Sequence, residues 1–260
     1  MAHADDSVVI KIGYASPPCY FDFMIFMSKF DALQQQLEFF HALDFHQDPV
    51  LASRLNDVQR WQKERMKKTH HDFFAVPEHH LMTQYFLNRL YGGPDFDVLA
   101  NQIGRLINNA GMVEKIIPDS AIRTGFSGVE LAVLAIRLDQ ELALDLLHTY
   151  APTMPLDDEI MRRAYLKLDQ REPRLRQMAL LDELGISLDK YVRSRMVKGA
   201  FRMAKGLAYK YKVGPMYEFV DEGFEAMKPL KSAQEFVNTF TAREREIIDK
   251  VHTGDPYPFA

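Results

Sequence analysis

The sequence predicts an all-α protein, a single bundle-like domain of about nine or ten helices. Three observations carry that expectation. Apolar residues recur at three- and four-residue spacing along most of the chain, the period of one helical face. Strand-type alternation is nearly absent, and only Val8-Val9-Ile10-Lys11-Ile12 reads as a short strand, without an evident partner. Thirteen prolines stand about one helix length apart, several where a first turn tolerates a missing N–H. Residues 1–19 read as an N-terminal arm and 20–260 as the helical domain, with a two-lobe division near 152–155 left open.

The elements follow from these signals. From Tyr20 a helix is expected through Phe23, Met27, Phe30, Leu33, Leu37 and Phe40. Asp48-Pro49 is an N-cap followed by proline at the first helical position, with Val50, Leu51, Leu55, Val58 and Trp61 as the buried stripe. Pro77-Glu78 opens a short helix that Gly92-Gly93 stops, because glycine accepts the left-handed conformation. Another helix is expected from about Asp95 to Ala110. Pro118-Asp119-Ser120 starts the longest apolar segment, whose leucines and valines lie on most sides, the mark of a central helix. Asp157-Asp158-Glu159 puts acids at the positive end of the next helix dipole. Pro173 to Leu184 is read as a helix closed by Gly185, and Ser187 as the start of a long helix ending before Gly214-Pro215. Ser232-Ala233-Gln234-Glu235 is a capping box opening the last helix toward His252.

At 47% hydrophobic and 26% charged residues, the composition excludes disordered, collagen-like and disulfide-scaffold classes. One cysteine, Cys19, permits no intrachain disulfide and fits a reducing compartment; an acidic first segment is unlike a secretory signal, so a cytoplasmic protein is expected. No apolar run reaches the roughly 20 residues of a membrane helix. Phosphate-wrapping glycine loops are absent from the sequence, and Gly125-Phe126-Ser127-Gly128 is one residue short of a nucleophile elbow; its small residues suggest close helix packing.

Two leads concern function. Glu38-Phe39-Phe40-His41 and Asp145-Leu146-Leu147-His148 each place a carboxylate three residues before a histidine, on one helical face. Glu38, His41, Asp145 and His148 are therefore candidate ligands for iron or manganese in a di-metal oxidase or oxygenase; the other reading needs no cofactor. His70-His71 and Glu78-His79-His80 form a second cluster, more economically read as structural, with His79 or His80 as a general base beside Tyr85 and Tyr91 as the sharper alternative.

The stronger lead is a basic helix. Between Ile160 and Gly214 stand 14 Lys and Arg against 5 Asp and Glu, a local +9 in a chain of net −4. Arg195, Lys198, Arg202, Lys205 and Lys212 fall on one stripe with Tyr191 and Tyr209, while Val192, Met196, Ala200, Met203 and Leu207 fall on the other side, the one expected to be buried. Such a stripe suits phosphate groups, an acidic protein or an anionic membrane surface. Nucleic acid is disfavoured by a pI near 6.1. The leading expectation is a non-enzymatic protein that binds a protein partner or small anionic ligand through this face, with Met and Phe enough to furnish a homo-oligomer interface as well.

Three stretches together resemble a known family. They are Phe73-Phe74-Ala75-Val76-Pro77-Glu78-His79-His80 running to Tyr91-Gly92-Gly93-Pro94-Asp95-Phe96, then Val129-Glu130-Leu131 with Leu138-Asp139, and Phe219-Val220-Asp221-Glu222-Gly223-Phe224 leading to Arg243-Glu244-Arg245-Glu246. Over about residues 73–259 the chain resembles an uncharacterised all-helical family of proteobacterial proteins, a domain of unknown function. The family has Tyr-Gly-Pro-x-Asp-Phe where this chain carries an extra glycine, Gly93. The resemblance implies an all-α fold in a bacterial cytoplasm, and no activity, cofactor or site residue.

Overall fold

A computed structural model describes residues 29–92, 95–109 and 118–260. The expected arm at 1–19, its strand, Cys19 and the first turns from Tyr20 lie outside the described residues. Among those described every regular element is helical, as the periodicity predicts. The principal helices are α1 (Lys29–His41), α2 (Pro49–Thr69), α3 (His80–Tyr85), α4 (Asp95–Ile107), α5 (Asp119–Thr149), α6 (Asp158–Leu168), α7 (Arg171–Arg193), α8 (Arg195–Lys210), α9 (Gly214–Met227) and α10 (Ala233–His252). A one-turn helix, His71–Phe74, links α2 to α3.

Local chemistry sets the boundaries. The Asp48 carboxylate accepts from the N–H groups of Val50 and Leu51 at 2.8 and 3.1 Å, and Pro49 occupies the first position of α2. Asp157 caps α6 through the Ile160 N–H at 2.8 Å, and Ser232 caps α10 through the Glu235 N–H at 3.1 Å. A carboxylate oxygen of Asp189 on α7 takes the next donor, the Ala233 N–H, at 2.7 Å. After α3 the chain widens into a π-turn over Phe86–Leu90, where the Tyr91 N–H reaches the Phe86 carbonyl five residues back. Gly92 then ends the element at φ +55°, where a side chain would meet Gln59.

The glycine at 185 behaves otherwise than expected. The helix does not stop there: α7 runs unbroken from Arg171 to Arg193, and the break comes at Ser194, whose hydroxyl caps α8. Ser187 is therefore inside a helix rather than at its start. An added Cβ on Gly185 would stand 2.9 Å from the Val237 Cβ, so this residue is small to let α7 and α10 approach, not to end a helix.

The long helix α5 is central, packed against α1, α2, α6 and α7, while α7 packs along α10 and α9 covers α3. Leu142, Ala143 and Leu146 join Leu51, Leu55 and Val58 of α2 and Met161 of α6 in one core. Its N-terminal half meets Leu33, Leu37 and Phe40 of α1. A third core gathers Met66, Phe74, Tyr85, Met227, Phe236 and Phe240. Val50, expected in the stripe of α2, is half exposed instead. Between these apolar cores runs a layer of buried charge.

Candidate functional site

Polar residues at core positions of five segments meet in the middle of the bundle. From α2 come Gln62 and Arg65, from α5 Asp139, from α6 Tyr165, from α7 Arg174 and from α10 Glu244; Tyr91 enters on the residue after the π-turn. Glu244 accepts from both terminal nitrogens of Arg65, at 2.5 and 2.9 Å, and from His70 Nε2 at 2.6 Å. Asp139 accepts from Arg174 at 3.0 Å on one oxygen and from the Tyr91 hydroxyl at 2.7 Å on the other. Arg174 also donates to Gln170 at 3.2 Å. The two halves join at Tyr165: Gln62 holds the Arg65 guanidinium at 3.1 Å and donates to the Tyr165 hydroxyl, and Arg174 lies over the Tyr165 ring at 5.4 Å.

Each arginine is neutralised by one carboxylate, which is what burial of charge requires. Burial disfavours the Glu244 anion, but the charge of Arg65 and the hydrogen bonds from His70 and Arg65 prevail and hold its carboxyl down at about 2. Glu244 is thus an acceptor only, and the proton on the shared contact belongs to His70 Nε2. Burial also works against the Arg174 cation, and Tyr165, Asp139 and Tyr91 outweigh it and raise its pKa. Burial, reinforced by Asp139, pushes Tyr91 well above the ordinary tyrosine value; burial likewise raises Tyr165. Both phenols keep their protons at neutral pH and act as donors.

This layer forms part of the wall of an otherwise apolar cavity of about 1010 Å³. Its size comes from small side chains. On α5 the residues facing it are Ala121, Gly125, Gly128, Ala132 and Ala135, at the spacing of one helical face. On α8 they include Ala200, Ala204 and Ala208. A Cβ added to Gly125 or Gly128 would meet nothing within 4 Å, so these glycines shape empty space and do not serve the close helix packing the sequence suggested. Gly125, Ala200 and Leu207 line the cavity and are exposed, as are Asn56, Leu90, Asp97 and Val220, so the cavity reaches the surface at several places, one of them between α5 and α8.

Three donors on residues that line the cavity have no acceptor among the described residues, and the two arginine Nε atoms are themselves fully buried. The Nε–H groups of Arg65 and Arg174 are buried and unpartnered. The Tyr165 hydroxyl accepts from Gln62, and its own proton meets no acceptor among the described residues. A buried donor without a partner costs about 1–3 kcal/mol, a cost that an acceptor oxygen reaching it would relieve.

The family described as Domain of unknown function (DUF8198) matches residues 42–258. The chain belongs to this family. No curated protein and no solved structure matches it. The DUF8198 span contains the whole polar layer and begins earlier than the resemblance in the sequence suggested. Three members of the layer, Tyr91, Asp139 and Glu244, fall within the stretches that carry that resemblance.

Within the DUF8198 fold the expected site residues are dispersed. Glu38 and His41 are exposed on α1, with Glu38 accepting from Gln34 at 2.9 Å. Asp145 pairs with Lys167, and His148 is exposed at the end of α5. The four are not brought together, and among the described residues no three His, Cys, Asp or Glu are grouped to hold a metal. Among the histidines, His79 bonds to the Phe73 carbonyl through Nδ1 at 2.8 Å and packs at a tilt against the Phe73 ring, and His80 is exposed beside Gln84. Both lie outside the cavity lining, although Tyr85 and Tyr91 are in it. His70, in the cluster read as structural, is the buried partner of Glu244.

The basic helix is present and exposed, with its stripe rearranged. Arg195, Arg202 and Lys205 are exposed and Lys198 partly so. Tyr191 lies before the break, on α7, where its hydroxyl meets Thr124 at 3.2 Å; Lys212 lies past the end of α8, in a left-handed turn. The Tyr209 hydroxyl donates to Glu218. Val197, Phe201, Ala204 and Ala208 face inward, and the expected inner residues Met196 and Met203 are 83% and 82% exposed. The mistake is one of rotation: breaking the long helix at Ser194 resets which face α8 turns to the bundle.

Proposed function

We propose that this protein binds an amphipathic ligand, an acyl chain ending in a carbonyl oxygen, inside the apolar cavity that α5 and α8 help to line. The observation that carries the reading is an apolar cavity of about 1010 Å³ whose lining includes Arg65, Arg174 and Tyr165, three residues that each keep a donor without an acceptor among the described residues. Specific ligand sites of this kind are apolar with a few convergent polar groups, at volumes of roughly 300–1,000 Å³. Because Arg65 and Arg174 are each already balanced by a carboxylate, the site calls for hydrogen-bond acceptance more than for a full negative charge. An ester or carboxylic acid carbonyl meets that demand.

The same arrangement supports binding over chemistry. Tyr91 and Tyr165 hold their protons, Glu244 is locked as an anion against Arg65, and each carboxylate is committed to an arginine. A reducing cytoplasmic setting fits the single cysteine.

The test is solvent extraction of detergent-free purified protein followed by mass spectrometry, together with titration of parinaric acid and its methyl ester by fluorescence. About one acyl molecule per chain, or saturable uptake of either probe at one site, is expected. Protein that carries no acyl molecule and takes up neither probe overturns the reading.

A further inference from the structure

Helix α8 combines three properties found together nowhere else among the described residues. Its outward surface carries Arg195, Lys198, Arg202 and Lys205, and no acid occurs anywhere along it. Among the described residues none of these four forms an ion pair, whereas exposed arginines elsewhere are taken up, Arg171 by Asp249 and Arg176 by Glu130 for example. Of the acids of neighbouring α9, Glu218 accepts from Tyr209, Glu222 from Arg89 and Glu225 from Lys228, while Asp221, which acts with Arg202 on the Tyr217 phenol, forms no ion pair with the four among the described residues.

Beside that basic flank stand Met196 and Met203, two turns apart on one face and more than four-fifths exposed. The next most exposed large apolar side chain among the described residues is Tyr257, at 75%. Long flexible apolar side chains next to unpaired Lys and Arg are the composition of a helix that lies in the headgroup region of a bilayer, methionines down and cations against lipid phosphates. Ala200, Ala204 and Ala208 of the same helix line the cavity at one of the places where it reaches the surface.

We infer that α8 docks on an anionic lipid bilayer, which is where the cavity exchanges its acyl ligand. The occupant follows from charge and exposure together: an acidic protein would satisfy the four cations and leave the methionines in water, whereas an anionic bilayer takes both. Exchange through this opening rests on the cavity reading; the docking itself does not, and the two are measured separately.

The experiment is flotation of the full chain with vesicles of phosphatidylcholine containing 30% phosphatidylglycerol, and with vesicles of phosphatidylcholine alone. Partition onto the anionic vesicles at least tenfold above the neutral ones is expected, falling with added salt as screening requires. Met196→Asp/Met203→Asp and Arg202→Glu/Lys205→Glu should each lower it at least tenfold with the melting temperature unchanged, since all four side chains project into solvent. No flotation, equal flotation with neutral vesicles, or flotation indifferent to both double variants overturns the inference. Retention on immobilised polyglutamate without flotation assigns the face to an acidic protein and also overturns it. Flotation by a protein that takes up no parinaric acid leaves docking standing and removes only the exchange role.

Discussion

Replacing Glu244 by Gln tests the buried layer on which the cavity is built. In the folded protein this carboxylate accepts from Arg65 at 2.5 and 2.9 Å and from His70 at 2.6 Å. Its pKa lies at about 2, down from an ordinary 4.5, a shift that corresponds to about 3 kcal/mol of stability. Because the folded value is the lower one, this stability is fully present above pH 4.5 and drains away as the pH falls toward 2. Glutamine cannot ionise, so Glu244→Gln lacks the contribution and leaves the Arg65 guanidinium uncompensated in the interior, a change that costs roughly 3–5 kcal/mol when one partner of a buried pair is removed. For a chain of this size, about 3 kcal/mol is a fall of roughly 6–12 °C in melting temperature. Guanidinium denaturation of both proteins from pH 7 to pH 3 checks this. The gap in unfolding free energy should be about 3 kcal/mol at pH 7 and narrow below pH 4.5. Equal stability at pH 7, or a gap that keeps its size down to pH 3, would refute the account of Glu244 as an ionised partner of Arg65.

Further consequences can be measured on the same preparations. Tyr91→Phe removes the hydrogen bond to Asp139 and should cost about 1–3 kcal/mol by denaturant unfolding, with Arg174 still paired. In an alkaline ultraviolet titration, Tyr91 and Tyr165 should fail to ionise until the protein unfolds. Their raised values mean that folding loses stability as the pH climbs past the unfolded tyrosine pKa near 10. Gly185→Val forces its side chain into Val237 across the α7–α10 contact and should lower stability by about 1–3 kcal/mol, read as a lower melting temperature.

The fold was legible because its signals are local. The Asp48-Pro49 and Ser232 caps, the acids ahead of α6 and the apolar length of α5 each depend on residues within a few positions of one another. Gly185 was misread because its reason is not local: the sequence contains a helix-stopping residue, and only the approach of Val237 from α10 shows that it is a packing residue. The cavity was hidden in the same way. Ala121, Gly125, Gly128, Ala132 and Ala135 repeat on one face, a pattern that fits tight packing and an open wall equally well, and the empty space beside Gly125 and Gly128 decides between them. The polar layer did leave a sequence signal, since Gln59, Gln62 and Arg65 interrupt the stripe set by Leu55, Val58 and Met66, and Asp139 sits in an apolar helix. Polar residues at core positions were the clue to follow, more than histidines beside carboxylates. Met196 and Met203 counted as interior only while α7 and α8 were taken as one helix.

The central claim is that the cavity holds a ligand, and filling it tests that most directly. The double variant Gly125→Phe/Gly128→Phe grows two rings into space where no atom stands within 4 Å of the new Cβ positions, and it removes two helix-interior glycines worth roughly 0.5–1 kcal/mol each. Parinaric acid is titrated into wild type and variant, with melting temperatures alongside. The expected result is a variant as stable as wild type or more so, with probe affinity at least tenfold lower. Equal affinity in the two proteins, at equal or higher variant stability, would mean that whatever the protein binds does not enter this cavity.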